Sequence, residues 1–203
     1  MRILLVGGTS HTGKSTVARA IADRLGWAYV TTDRLGRHPG RPWRTDGPLP
    51  EHVVAHYRSL GAEELVVAQL RHYGWDPVAD APVGGMWPRV AETVAAAEGG
   101  LVLEGSGVWP DLAVRLTGPD IAAVWLTAAP ETLRARIHAE SAYATRPPHE
   151  QSLITAFTDR TILYDTLMRT SLTRLARAPL PTDKTTPDGR PPTAPAPTAP
   201  DGR

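Results

Sequence analysis

Cysteine is absent from the 203 residues, which excludes a disulfide framework, any thiolate metal site and a cysteine nucleophile. Lysine is nearly absent: Lys14 and Lys184 are the only two among 22 Lys and Arg residues, leaving 20 arginines. Long apolar runs are missing as well. Arg2-Ile3-Leu4-Leu5-Val6 stops at Gly7 and Gly8, too short for a signal-peptide core or a spanning helix, so a cytoplasmic protein without membrane contact is expected. Nor does one sign of charge dominate. The formal net charge of +1 provides no global attraction to nucleic acid or anionic lipid.

The remaining composition is that of an ordinary soluble domain, with 41% hydrophobic and 21% charged residues in 21.9 kDa. That length predicts one domain with a core large enough to need no staples. Residues 179–203 contain eight of the 20 prolines and no apolar stripe, and read as a disordered tail behind a domain at 1–178. Lys184 falls in that tail. Lys14 is therefore the single lysine of the globular part, in a chain that otherwise uses Arg throughout, and this marks a site needing a compact point charge.

Short apolar runs alternate with longer helical patterns. Strands are predicted at 2–6, 28–32, 101–104 and 121–127. Helices are predicted at 15–25, 50–59, 62–73, 84–97, 130–141 and 150–176, the last with a break. In the first helix Val17, Ala18, Ile21, Ala22 and Leu25 share one face. Such alternation implies a parallel sheet covered on both faces, with sites at the carboxyl ends of its strands.

The first strand runs into Gly8-Thr9-Ser10-His11-Thr12-Gly13-Lys14-Ser15-Thr16, which satisfies G-x-x-x-x-G-K-[ST] at every fixed position and leads straight into a helix. The glycines let successive N–H groups turn inward on phosphate oxygens, and the helix adds its positive end. Lys14 is expected to reach the β- and γ-phosphates of ATP, and Ser15 to offer a hydroxyl to Mg²⁺. His11 reads as a solvent-facing loop residue, with a contact to the γ-phosphate or a substrate as the other reading.

In these residues the chain resembles the P-loop small-molecule kinases, a group that includes nucleoside monophosphate, shikimate and gluconate kinases, chloramphenicol phosphotransferase and 2-phosphoglycerate kinase. The resemblance covers about 1–178 and is specific only in the phosphate loop. It implies a three-layer α/β sandwich with a parallel sheet of about five strands and a helical lid. It also implies an acidic residue ending the second strand that holds or deprotonates the acceptor hydroxyl, and Tyr29-Val30-Thr31-Thr32-Asp33 ends in that way. The other role open to Asp33 is to cap the next helix.

From Asp33 on, the stretch 33–44 carries Arg34, Arg37, Arg41, Arg44 and His38, with Pro39 and Pro42 stiffening it, and the run DRLGRHPGRPW is similar to the 2-phosphoglycerate-kinase-like members. Arginine forks grip carboxylates and phosphates, so Arg34, Arg37 and Arg41 read as an anion clamp for an acidic or phosphorylated acceptor. Glu104 ends the third strand where the resemblance places a metal-holding Asp; it is assigned to Mg²⁺ or to the acceptor. Gly105 and Gly107 would let a ligand approach the backbone. Trp43 and Trp87 are candidates to line an acceptor pocket, while the six tryptophans as a set read as packing.

A lid arginine is expected to neutralise the transferring phosphoryl group. Arg134, Arg136, Arg146 and Arg160 are the candidates, with Arg146 preferred because it precedes Pro147-Pro148 in a loop; Arg136 can instead pair with Glu140 at i, i+4. The expected activity is transfer of the γ-phosphoryl group of Mg-ATP to a hydroxyl of a small anionic metabolite. Nucleoside or antibiotic kinases, a polynucleotide kinase and a P-loop ATPase or switch with a protein partner are the alternatives. Nucleic acid is disfavoured by the charge balance, and monomer and homodimer both stay open.

Overall fold

A computed structural model describes residues 2–36, 39–43, 47–116 and 118–182. Strands β1 (Ile3–Gly8), β2 (Ala28–Thr31), β5 (Leu101–Glu104), β6 (Ile121–Thr127) and β7 (Leu180–Pro181) form a sheet in the order β2-β5-β1-β6-β7, every pairing parallel. A second, antiparallel pair joins β3 (Trp75–Asp76) and β4 (Ala81–Pro82). The helices are α1 (Lys14–Leu25), α2 (Glu51–Ser59), α3 (Ala62–Tyr73), α4 (Trp87–Ala95), α5 (Pro110–Ala113), α6 (Pro130–Ser141) and α7 (Pro148–Arg174). The expected three-layer α/β sandwich around a five-stranded parallel sheet is thus what the described residues form.

Strand periodicity divides the core. Ile3 and Leu5 of β1, Leu101 and Leu103 of β5 and Trp125 of β6 face a large cluster with α3, α4, α5 and α7. Val6, Val102 and Leu126 face the opposite way, onto Ala18 and Ala22 of α1. Alternate residues point to opposite faces of a strand, so helices must cover both. Leu25 departs from the expected apolar face of α1 and is 48% exposed; the helix ends there, where Gly26 at φ 64 turns the chain away. A third cluster, around Trp43, Tyr57, Leu65, Ile154 and Phe157, ties α2, α3 and α7 to the segment 39–43.

Five elements, α7, β3, β4, α5 and β7, differ from the sequence reading. Helix α7 runs 27 residues without a break, its buried face repeating through Ile154, Phe157, Thr161, Tyr164, Met168 and Leu172. The β3–β4 pair and the short α5 were not expected, because two or four residues give no periodicity to read. Strand β7 lies inside the segment expected to be a tail. Leu180 and Pro181 pair with Leu126 and Thr127, and Thr182 N donates to Thr127 O at 2.8 Å. The rest of that segment, 183–203, lies outside the described residues, as do Arg37, His38 and Arg44. Between α6 and α7, within the stretch from the fourth predicted strand to the tail where the lid is expected, a 3₁₀ turn at Tyr143–Thr145 follows Ala142 at φ 53. No helix among the described residues is long and apolar enough to cross a membrane.

Candidate active site

The carboxyl ends of β1, β2 and β5 meet at a cleft of about 980 Å³. Register explains the meeting. Glu104 of β5 stands opposite Val6 of β1 on one side and Thr31 of β2 on the other, so the phosphate loop after β1 and Asp33 after β2 flank the same carboxylate.

The loop has the backbone an anion cradle requires. Gly8 at φ 139, His11 at φ 65 and Gly13 at φ 85 all take positive φ. At Gly8 a Cβ would lie 2.5 Å from Leu126 O, so only glycine fits beneath the loop. Thr9 is 2% exposed and its hydroxyl donates to Thr161 O, anchoring the loop to α7. Gly8 and Thr9 support the loop from below, whereas Ser10, His11, Thr12, Gly13, Lys14, Ser15 and Thr16 line the cleft. Lys14 is 8% exposed and its Nζ donates to Thr9 O at 2.7 Å, bracing the loop across its own turn. Burial lowers its pKa, against the opposing pull of Glu104 and Asp33, which lie close enough to favour its charge.

Glu104 is 3% exposed and accepts two hydrogen bonds on one oxygen, from Ser15 Oγ at 3.1 Å and Tyr29 OH at 2.8 Å. Burial pushes the Tyr29 phenol up, and the carboxylate beside it adds to the shift. A hydroxyl and a carboxylate oxygen side by side are hard oxygen donors of the kind Mg²⁺ takes. Asp33 lies in the 3₁₀ turn Thr32–Arg34, exposed and on the cleft. The capping hydroxyl of that turn belongs to Thr31, which faces Asp33 N at 3.4 Å, so the Asp33 carboxylate is not the cap.

The glycines after Glu104 make room for protein side chains. A Cβ on Gly105, at φ +150, would meet Thr32 Oγ1 at 1.8 Å, and one on Gly107 would meet Met86 at 2.4 Å. Packing of Thr32 and Met86, not ligand approach, demands glycine there, although Gly105 does border the cleft.

The arginines are redistributed relative to expectation. Arg34 is exposed and does not line the cleft. Arg41 does line it and pairs with Glu140 of α6. Arg146 is not on the cleft: its Nε donates to Ser141 O at 2.9 Å and its Nη1 to Glu150 at 3.1 Å, fastening the turn between α6 and α7. Arg134 is exposed and also absent from the lining. Arg136 lines it and joins three segments, donating to His11 O at 2.9 Å and to Thr182 O at 2.9 Å. Arg160, 2% exposed, lines the floor with its guanidinium 4.4 Å from the Phe157 ring centroid.

His11 is not solvent-facing. Its side chain is 4% exposed, its ring centroid 5.9 Å from both Trp43 and Phe157, with Nε2 3.0 Å from Glu140 Oε2 but outside hydrogen-bond geometry. Burial lowers its pKa from 6.5 to about 4, outweighing the favourable pull of Glu140. Trp43 packs behind His11, and Trp87 packs on the main core; neither lines the cleft.

Gln69, Tyr73 and Ser106 complete the floor and were not anticipated. Gln69 Nε2 donates to Tyr73 OH at 2.9 Å, and Tyr164 OH donates to Ser106 O at 2.5 Å. Burial pushes Tyr73 up to about 12, so it stays a neutral hydroxyl. One signal was available: Gln69 sits on the face of α3 otherwise made of Leu65, Val66, Leu70 and Tyr73. A polar side chain on an apolar stripe is buried for a reason.

These features define a P-loop α/β fold with its cleft at the strand ends. Among solved structures, the chain is similar to a gluconokinase from Sinorhizobium meliloti 1021, at 19% identity over 85% of this chain and 92% of that one, with a TM-score of 0.42. It is also similar to a sugar kinase from Janibacter sp. HTCC2649, at 18% identity over 88% and 96%, with a TM-score of 0.42. No protein-family model and no curated protein matches the sequence.

Proposed function

We propose that the protein transfers the γ-phosphoryl group of ATP to a hydroxyl of a small anionic acceptor. The observation that carries this reading is the convergence of Lys14, the Ser15–Glu104 pair and Asp33 on one cleft. A phosphate cradle alone serves hydrolases and switches equally. A carboxylate held free of capping duty across the same cleft is what an acceptor hydroxyl needs.

The N–H groups of the loop and Lys14 would hold the β- and γ-phosphates. Ser15 and Glu104 would hold Mg²⁺, which when bound neutralises charge on the phosphates. Asp33 accepts the proton of the acceptor hydroxyl as its oxygen bonds to the γ-phosphorus, and ADP departs with the bridging oxygen. Arg160 meets the negative group of the acceptor, with Gln69, Tyr73 and Ser106 supplying neutral polar contacts around it. A cation buried in the floor beside neutral donors favours an anion over a neutral sugar or nucleoside.

The test is ADP release from Mg-ATP against hydroxy acids, sugar acids, phosphoglycerates, nucleosides, aminoglycosides and short oligonucleotides, with Lys14→Met and Asp33→Asn alongside. Stimulation by an anionic class, lost in both variants, is the expected result. Turnover that ignores every acceptor and survives Asp33→Asn would replace the kinase with an ATPase or switch.

A further inference from the structure

Most arginines near the phosphate loop are committed to the fold. Arg136 is bound to two backbone carbonyls, and Arg146 to a carbonyl and a carboxylate away from the cleft. Arg41 differs. Its backbone is pinned, because Tyr57 OH donates to Gly40 O at 2.8 Å and Trp43 is buried against Phe157. Its side chain is 53% exposed and on the cleft, within electrostatic reach of both His11 and Lys14.

That guanidinium rests on Glu140, whose other oxygen lies 3.0 Å from His11 Nε2 in the phosphate loop. His11 is neutral at physiological pH, so it contributes no charge to balance the carboxylate. Arg41 does. The arrangement places a carboxylate against a loop built for phosphate, and a bound triphosphate would find it a like charge at close range.

We infer that Glu140 is a latch for Arg41: it holds the guanidinium while the loop lacks a triphosphate and yields it to the γ-phosphate when one binds. A guanidinium fork suits either oxyanion, and phosphate carries more charge. The exchange needs only side-chain rotation, since the Arg41 backbone is fixed and the Glu140 side chain is 42% exposed. Arg41 thereby becomes the cation over the transferring group, and Glu140 a positioning residue acting through it. A diphosphate lacks the group that draws Arg41 away, so the latch separates ATP from ADP. The inference rests on the nucleotide-binding part of the proposed function and adds a residue pair to it.

Calorimetric titration tests it without any acceptor, using a non-hydrolysable ATP analogue and ADP, each with Mg²⁺, on wild type, Glu140→Gln, Arg41→Ala and the double variant. Glu140→Gln should tighten the triphosphate by at least about threefold, the scale of a half-exposed ion pair, and leave ADP within about twofold. Arg41→Ala should weaken the triphosphate, and Glu140→Gln should gain nothing in the Arg41→Ala background. The latch is overturned if Glu140→Gln leaves triphosphate affinity unchanged, tightens both nucleotides equally, or keeps its gain without Arg41. Failure of wild type to bind either nucleotide would overturn the nucleotide reading and the latch together; normal binding with a silent Glu140→Gln overturns the latch alone.

Discussion

Ser15 Oγ donates to Glu104 Oε1 across 3.1 Å, joining the first turn of α1 to the end of β5. The same oxygen accepts from Tyr29 OH of β2. One buried carboxylate therefore ties the phosphate loop to both neighbouring strands. Glu104→Gln should fold with little change in melting temperature and weaken Mg²⁺-dependent ATP binding by about tenfold or more, while metal-free binding changes little. Tyr29→Phe removes one donor without touching the Ser15 contact and should cost about 1 kcal/mol of stability with binding retained. Equal losses with and without Mg²⁺ would argue against a metal role for Glu104.

In the proposed reaction Asp33 would act on the acceptor hydroxyl and not on the nucleotide. Asp33→Asn should lower phosphoryl transfer by about 10² to 10⁴ with ATP affinity near wild type, measured by single turnover beside equilibrium binding. Gly105→Ala should reach the same turn from behind, because its Cβ would collide with Thr32 Oγ1. It is expected to lose more than about 2 kcal/mol in denaturant titration.

In the proposed reaction Arg160 would hold the acceptor. Arg160→Met should raise the acceptor KM by about tenfold or more at unchanged ATP affinity, and Arg160→Lys should not restore it, because an ammonium lacks the planar fork. Melting curves separate this from unfolding, since the guanidinium also lies over Phe157 and within 5.9 Å of the Tyr57 ring centroid. An unchanged KM in a folded variant would move the anion site elsewhere.

Burial lowers the pKa of both His11 and Lys14, so through each group stability rises with pH. The folded pKa of His11 is about 4 against 6.5 unfolded, so the unfolded chain binds more protons between those values. Its neutral burial contributes stability above pH 6.5 that is lost as pH falls toward 4, amounting to no more than about 3 kcal/mol. His11→Asn, which tolerates the left-handed backbone, should flatten that dependence in chemical denaturation. Lys14 is also lowered, so the cost of its buried charge fades as pH rises through its folded value toward 10.5. Wild type should gain stability relative to Lys14→Met over that rise, while the variant shows no nucleotide-induced increase in melting temperature at any pH.

The phosphate loop was legible because its chemistry is local. Glycines at fixed spacing, a lone lysine and a hydroxyl between strand and helix need no distant partner to be recognised. Glu104 and Asp33 were legible for a related reason, since Glu104 ends one strand, Asp33 follows another by two residues, and the ends of parallel strands gather on one side of a sheet. The arginines were not. Arg146 was favoured for its loop setting, yet a backbone carbonyl and Glu150 hold it outside the cleft, and Arg160 on α7 reaches the floor only because an unbroken helix crosses beneath the site. His11 reads as exposed in any window of sequence; Trp43 and Phe157, distant along the chain, enclose it.

What the sequence by itself determined is the order of the longer strands and helices and the loop that cradles phosphate, because periodicity and glycine spacing act over a few residues. Tertiary structure alone decided which cations face the cleft, which carboxylate holds Arg41, and that Leu180–Pro181 closes the sheet as a fifth strand. Those outcomes depend on contacts between residues far apart in the chain, 99 positions for Arg41 and Glu140 and 125 for His11 and Arg136, and on burial that shifts charge. Neither is written in the local pattern on which a sequence reading rests.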